Sequence, residues 1–586
     1  MPGLLIRHAI ATAIALLVIA NAHAVDQIQV GPAVLDPPTL NCLGIVVPIT
    51  GGDDNYNAQA VVQYRMQGTS TWTAAMPLLR VRPDTVGTET PPSDYGLPDP
   101  MEQFAGSIVG LDAGNIFEIQ IVVVDPDGGG GSQTVIAETR SVPKPVPTNS
   151  IAVPVNNDAQ LNSALANAVP GHVIELAPGT YHGPLTISRS GTAGDPILLR
   201  DPGGDQVVIE AVGASYGLTV SGSHVFVEGI TVFGSDWGAR LSGTDDIVVR
   251  NTRFMSVNKG IDARNGIHRN FYICDNVLEG KFAWPNVSSS TWDQEGIVVT
   301  GQGHVICHNT LSGFGDALGL SQNTAIPNVA IDFFGNEVLW TGDDGLEIDY
   351  GHRNVRVFDN RVTNSGMGVS VQPAWGGPIY IFRNVLVNQA HSPYKFNNDP
   401  TGILVFNNTS IRTNGPGNYG GSAWPQLGYQ QADGDWSYVA NFRFVNNLVV
   451  GATTPAKFTS DIILGEINYN GWSPNGTFIF SQSYANLADV KARSPFEANG
   501  LILGSPLFAD FAAMGSDYTT FVAPGNVTLS PSSNAVDAGL VLPNINNDFQ
   551  GNAPDLGAWE LGKGIPVYGV RNQIILPNPP TNLTVQ

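Results

Sequence analysis

Eight hexapeptides decide how this chain folds: GLTVSG (217–222), GARLSG (238–243), GIDARN (260–265), GIVVTG (296–301), ALGLSQ (317–322), GLEIDY (345–350), GVSVQP (368–373) and PYKFNN (393–398). Each reads as a short strand, and their starts lie 21 to 36 residues apart. A second register runs through the same segment: Asn251, Asn276, Asn309, Asn336, Asn360, Asn384, Asn408 and Asn447. Two residues before six of these stand Cys274, Cys307, Phe334, Phe358, Phe382 and Phe406. Successive coils of a parallel β-helix, about 4.8 Å apart, stack equivalent residues in this way. The hairpins of a sandwich or barrel leave no such double register. The expected architecture is therefore all-β, a parallel β-helix with asparagines stacked at a turn and the aromatics and cysteines stacked inside.

Outward from the repeats, the flanks are legible too. DAQLNSALANAV (158–169) places Leu161, Leu165 and Val169 at helical spacing behind an N-cap at Asn157 or Asp158. One helix in that position predicts a cap over the open end of the first coil. VPKPVPTNS (142–150) reads as a linker. Before it, alternating runs such as AVVQYRMQ (60–67) and IFEIQIVVVD (116–125), separated by turn residues, predict an antiparallel β-sandwich. The first residues combine Arg7, an apolar run from Ala9 to Ala20 and Ala22-His23-Ala24, the pattern of a secretory signal peptide. The boundaries are thus 1–24 signal peptide, 25–145 sandwich, 146–562 β-helix with its capping helix, and 563–586 a linker or tail leading to a module outside this sequence.

Composition narrows the function. Of 586 residues only 13% are charged, 67 are Gly and 41 Pro, and the net charge is −23. Such a balance disfavours helix bundles, nucleic acid and anionic membranes as structure or partner. No stretch after the leader is long and apolar enough to span a bilayer. An exported monomer, extracellular or periplasmic, is expected. Three cysteines cannot form a disulfide scaffold. They read as buried thiols, with a Cys274–Cys307 bond left to geometry.

Period-2 alternation turns Leu218/Val220, Ile261/Ala263, Leu346/Ile348 and Val369/Val371 inward. One outward column then runs Thr219, Arg240, Asp262, Val298, Gly319, Glu347, Ser370, Lys395. Another runs Ser221, Ser242, Arg264, Thr300, Ser321, Asp349, Gln372, Asn397. Glu295, Asp316, Asp343 and Asp344 precede the strands, so six acids gather on three coils of one face. Two carboxylates about 5 Å apart repel by about 3 kcal/mol at an effective dielectric of 20. The cluster thus implies a cation, raised pKa values or interposed bases. Asp262, Arg264, Glu295, Asp349, His352, Gln372, Trp375, His391 and Tyr394 border it as candidate substrate contacts. Tyr350 and Trp292 could also stack on sugar rings.

Tyr64, Trp72 and GLDAGNIFEIQIVVVDPDGG (110–129) resemble the fibronectin type III family, in which such a module serves as a spacer. From about 150 to 562 the chain resembles the right-handed β-helix superfamily of pectate lyases, with SPSSNAVDAG (530–539) and the run from Asp548 to Glu560 as a closing segment. Asp343-Asp344-Gly345-Leu346-Glu347 is similar to the acid run of family 9 pectate lyases. That likeness implies Ca²⁺ ligation by Asp316, Asp343, Asp344 and Glu347 and proton removal by Lys395. The catalytic set is then Lys395, Asp316 and Asp344, acting on a uronic-acid polysaccharide by β-elimination. The strand GVSVQP intervenes, which sets Lys395 two coils and about 10 Å beyond the acids. The same acids resemble those of inverting polygalacturonase-like hydrolases, although Gly366-Met367-Gly368 lacks that family's His. A glycan-binding protein without catalysis is the third expectation, since β-helices host all three.

Overall fold

The computed structural model describes residues 27–571 apart from 54, 88–90, 205, 265, 289–290, 292, 323–324, 413–437, 452–453, 460, 512–513 and 516. The leader, Trp292 and the end of the tail lie outside the described residues. The chain forms a parallel β-solenoid of about 12 turns preceded by two antiparallel sheets. One sheet contains Leu43–Gly51 and Gln103–Ile108, the other Gln59–Met66 and Ile116–Val124. Alternate residues such as Ile45, Val47, Val62, Ile119 and Ile121 close their shared core.

The solenoid opens with the strand Ile151–Val155 and the helix Asp158–Ala166. Asn157 is the N-cap, accepting the Gln160 N–H at 3.0 Å. Leu161 and Leu165 join the core of the first coils as a cap, whereas Val169 falls beyond the helix and is exposed. Sequential coils then pair in parallel into a 13-stranded and a 20-stranded sheet. The predicted registry is met residue for residue: Thr219 pairs with Arg240, Arg240 with Asp262, Asp262 with Val298, Val298 with Gly319, Gly319 with Glu347, Glu347 with Ser370 and Ser370 with Lys395.

An asparagine ladder fixes that registry. Nδ2 of Asn276, Asn309, Asn336, Asn360, Asn384, Asn408 and Asn447 each donates to Oδ1 of the next ladder asparagine at 2.9–3.1 Å. Asn470 extends the ladder, and Glu497 ends it by accepting Asn470 Nδ2 at 2.7 Å. Asn251 does not belong to it. Thr252 holds the ladder position, its N–H donating to Asn276 Oδ1, while Asn251 adopts the left-handed turn conformation at φ 50°. Asn tolerates that conformation better than most residues.

Burial raises the Glu497 carboxyl to about 7 against the opposing pull of its Asn470 bonds. A folded-state pKa above the ordinary value of about 4.5 favours the folded protein at low pH. That stabilisation is complete below pH 4.5 and is lost as pH rises through 7. The change amounts to about 3 kcal/mol. Melting curves of the wild type and Glu497→Gln at pH 5 and pH 8 measure it as a difference of differences. The substitution is expected to flatten the pH dependence, and parallel behaviour of the two proteins refutes the assignment.

The column of Cys274, Cys307 and phenylalanines faces outward, not inward. Ile273, Ile306, Phe333, Val357 and Ile381 fill the interior. Phe334, Phe358 and Phe382 stack at 5.0 Å spacings on the outer face, beneath Cys42, Met76 and Val109 of the N-terminal module. Cys274 and Cys307 form a disulfide under Leu40 rather than remaining free thiols, while Cys42 is free and buried. Asp36–Arg353 at 2.9 Å and the fully buried Asp332–Arg356 pair, with Arg356 also reaching Ser107, join the two parts further. The closing segment packs beside the last coil, where Asn534 Nδ2 donates to the Ile502 carbonyl at 2.8 Å. It runs back along the flank, where Gly557, Gly569 and Arg571 bond to Asn446, Gly335 and Asp275. Residues 563–571 therefore lie against the solenoid.

Candidate active site

The acid cluster arises where two adjacent coils enter the long sheet. Asp316 precedes the strand Leu318–Leu320, and Asp343 and Asp344 occupy the equivalent place one coil on. Asp316 Oδ1 accepts the Asp344 N–H at 2.8 Å, so one acid caps the backbone of the next coil. One ligand atom from each of Asp316, Asp343 and Asp344 lies within 4.8 Å of the others. Asp344 Oδ1 is buried with no hydrogen-bond partner among the described residues. Glu347 stands one outward step along the same strand.

Lys395 closes the cluster. It sits two coils beyond Asp344, as expected, but its side chain turns back and sets Nζ 2.8 Å from Asp344 Oδ2. Ser370, the residue between Glu347 and Lys395 in the column, is small enough to leave the lysine stem that path. The separation of about 10 Å expected from coil spacing is thus spanned by the side chain.

Electrostatics follow from burial. Desolvation, then the charges of Glu347, Asp343 and Asp344, raise the Asp316 carboxyl well above its ordinary range. Desolvation with Asp349 and Asp344 does the same to Glu347. Asp349 is raised to about 7 by burial against the lowering effect of Lys395, and its Oδ1 accepts the Ser370 hydroxyl at 3.0 Å and the Gln372 N–H at 2.8 Å. Burial works to lower Lys395, but Asp344, Asp343 and Asp349 outweigh it and hold the ammonium well above its ordinary value.

On the coils before Asp316, Arg264 bridges Asp262 at 3.1 Å and Glu295 at 2.9 Å and lies over Trp237. Burial raises Glu295 to about 7 despite Arg264 and Lys259. These three expected contacts form one unit beside the acids. Gln372 is half-buried, with Oε1 accepting Asn397 Nδ2 at 3.1 Å.

Four expected contacts are placed differently. Tyr394 points into the solenoid, packed on Phe396 and Phe444, because it has the parity opposite to Lys395. Trp375 is 2% exposed, enclosed by Tyr95, Tyr350 and His352. His352 is buried there and pushed down to about 3 by desolvation and Arg353. His391 is buried and pushed down to about 3 by desolvation, then by Arg412, Lys395 and Lys457. Both histidines are neutral, so neither offers a charged contact to a substrate. Lys457 was hidden by distance in the chain, yet its signal is present: PAKF (455–458) repeats PYKF (393–396), and Phe458 stacks on Phe396.

With its parallel β-solenoid, the chain resembles the pectate lyase-like proteins. In particular, the chain is 24% identical over 436 residues to pectate lyase L of Dickeya chrysanthemi, covering 69% of this chain and 86% of that protein. It is likewise 24% identical over 435 residues to pectate lyase L of Dickeya dadantii (strain 3937), with the same coverage. Among solved structures, pectate lyase Pel9A aligns with a TM-score of 0.42 and 20% identity over 68% of this chain and 90% of that one. No family model matches.

Proposed function

We propose that this protein cleaves a uronic-acid polysaccharide by calcium-assisted β-elimination. The observation that carries the reading is Lys395 Nζ held 2.8 Å from Asp344 at the edge of the three-aspartate cluster. The likeness to the two pectate lyases supports it. In the reaction Lys395, as the neutral amine, takes the proton from carbon 5 of the uronate. The electron pair left behind forms the second bond to carbon 4, the bond from carbon 4 to the glycosidic oxygen breaks, and that oxygen gains a proton from water. A new reducing end and an unsaturated sugar result.

Asp316, Asp343, Asp344 and Glu347 would hold the cation. Several hard oxygen donors in close array suit Ca²⁺, and the unpartnered, buried Asp344 Oδ1 is a donor waiting for a ligand. A divalent ion held there would supply Lewis acidity for the substrate carboxylate and would offset the negative field around Lys395. Arg264, held by Asp262 and Glu295, would meet a neighbouring uronate.

The inverting-hydrolase alternative fits less well. Inversion needs two carboxyl groups about 6.5–9.5 Å apart with room for water between them, whereas one oxygen from each of Asp316, Asp343 and Asp344 lies within 4.8 Å of the others. Export through the leader is part of the proposal. Among the described residues no helix is long and apolar enough to cross a membrane.

The test is a panel of pectate, alginate and neutral glucans incubated with calcium or with chelator. Unsaturated uronate absorbance on an acidic polymer, abolished by chelator and restored by calcium, is the expected result. New reducing ends without that absorbance, undiminished in chelator, would sink the lyase reading.

A further inference from the structure

The N-terminal module does more than cover the phenylalanine column. Between its strands Leu79–Val81 and Gln103–Ile108, the described residues 82–87 and 91–102 form a strap against the turns that follow the site strands. The strap is pinned at several points. Thr85 Oγ1 bonds to Thr401 Oγ1 at 2.9 Å, and Tyr438 donates its hydroxyl to the Thr85 carbonyl at 2.7 Å. A Cβ at Gly376, in the turn just after Trp375, would lie 3.1 Å from Val81 and 3.2 Å from Pro100, so module and solenoid touch there.

At the strap's tip, Pro92 begins the short 3-10 turn Pro92–Tyr95, and Gly96 ends it in the left-handed conformation at φ 71°. Pro92 and Leu97 are buried, which fixes the turn and presents Tyr95. Its ring lies 5.5 Å from Tyr350 and 5.4 Å from Trp375, and Tyr350 lies 5.7 Å from Trp375. Trp375 is buried as the floor, whereas Tyr95 and Tyr350 each keep part of their surface open.

This aromatic group adjoins the acids. Tyr350 follows Asp349 directly in the chain, and Asp349 is bonded to Ser370 and Gln372 of the next coil. Burial raises the Tyr350 phenol, and the charges of Asp349 and Glu347 raise it further, which places its hydroxyl within the field of the site. Amphipathic rings that keep part of their surface open beside a polar cluster suit a pyranose, which offers an apolar C–H face and a hydroxyl rim.

We infer that Tyr95 of the N-terminal module, with Tyr350 on the Trp375 floor, forms a sugar-stacking subsite at the edge of the acid cluster, so that the module helps set substrate specificity. The inference rests on the proposed polysaccharide reading, and it adds a binding role for a part of the chain that the resemblance treats as a spacer.

The experiment uses the full chain as wild type, Tyr95→Ala and Tyr95→Phe. Binding of hexagalacturonate with calcium, and of a neutral gluco-hexasaccharide, is read by stopped-flow quenching of tryptophan fluorescence before turnover. Tyr95→Ala is expected to weaken hexagalacturonate binding about tenfold, and Tyr95→Phe to stay within about twofold of wild type. If wild type binds only the neutral sugar and Tyr95→Ala weakens that, the subsite stands while the uronate reading fails. Tyr95→Ala that melts like wild type and binds equally well overturns the inference, as does a wild type that binds neither sugar.

Discussion

Lys395→Arg is expected to lower polyuronide cleavage by about 10³-fold while leaving the melting temperature near that of the wild type. Proton transfer by a positioned side chain contributes about 10²–10⁴-fold to a reaction. Arginine keeps the charge opposite Asp344 but does not give up its proton in the working pH range, so it preserves the pair and removes the base. Lys395→Ala is a poorer probe taken alone. Lys395 and Asp344 have side chains only 10% and 2% exposed, and removing one partner of a buried pair strands the other charge at a cost of about 3–5 kcal/mol. The double variant Lys395→Met with Asp344→Asn removes both charges, and is expected to melt above Lys395→Ala while remaining inactive. Initial rates of unsaturated product, set beside melting curves, separate the two effects. More than a tenth of wild-type activity in Lys395→Arg would exclude Lys395 as the base and leave the acid cluster to be explained otherwise.

Deleting residues 27–141 is expected to prevent the solenoid from accumulating as a soluble monomer. The deletion strips cover from Phe358, Phe382, Phe406 and Tyr380, all buried in the intact chain. It also opens the Asp332–Arg356 pair, in which both side chains are now completely enclosed. A contiguous exposed aromatic face of this kind drives association. A gentler version keeps the module and substitutes Phe358→Ala with Phe382→Ala. Each truncation of a buried phenylalanine costs about 3–5 kcal/mol, and the stacked pair at 5.0 Å will not act additively. Size-exclusion chromatography and binding of a hydrophobic dye check the deletion, and melting curves check the double variant. A monodisperse solenoid melting at the wild-type temperature would show that the module is a detachable spacer after all.

The sequence alone determined the coil, its registry and the gathering of the acids. These depend on spacing and on parity, and both are written into the order of residues. Asparagines one coil apart must meet if the coils stack, and an outward residue on one strand predicts its neighbours above and below. Parity even contained the correction to Tyr394, since an outward Lys395 forces Tyr394 inward. What parity could not supply was the side on which Cys274 and the phenylalanines lie. In that sheet both faces carry apolar residues, Ile273 beside Cys274 and Val357 beside Phe358. A strand buried on both faces reads as a continuous apolar run, without alternation to orient it. Only docking of the N-terminal module distinguished the two faces. The reach of Lys395 was likewise a tertiary matter. Coil spacing set its Cα two rises from Asp344, but the path of the side chain depended on Ser370 leaving the intervening position open. Tyr95 lies more than 250 residues from Tyr350 and Trp375 in the chain. No local pattern encodes that meeting, because it comes from a two-sheet module and a solenoid burying apolar surface against one another, a contact made between surfaces rather than along a sequence.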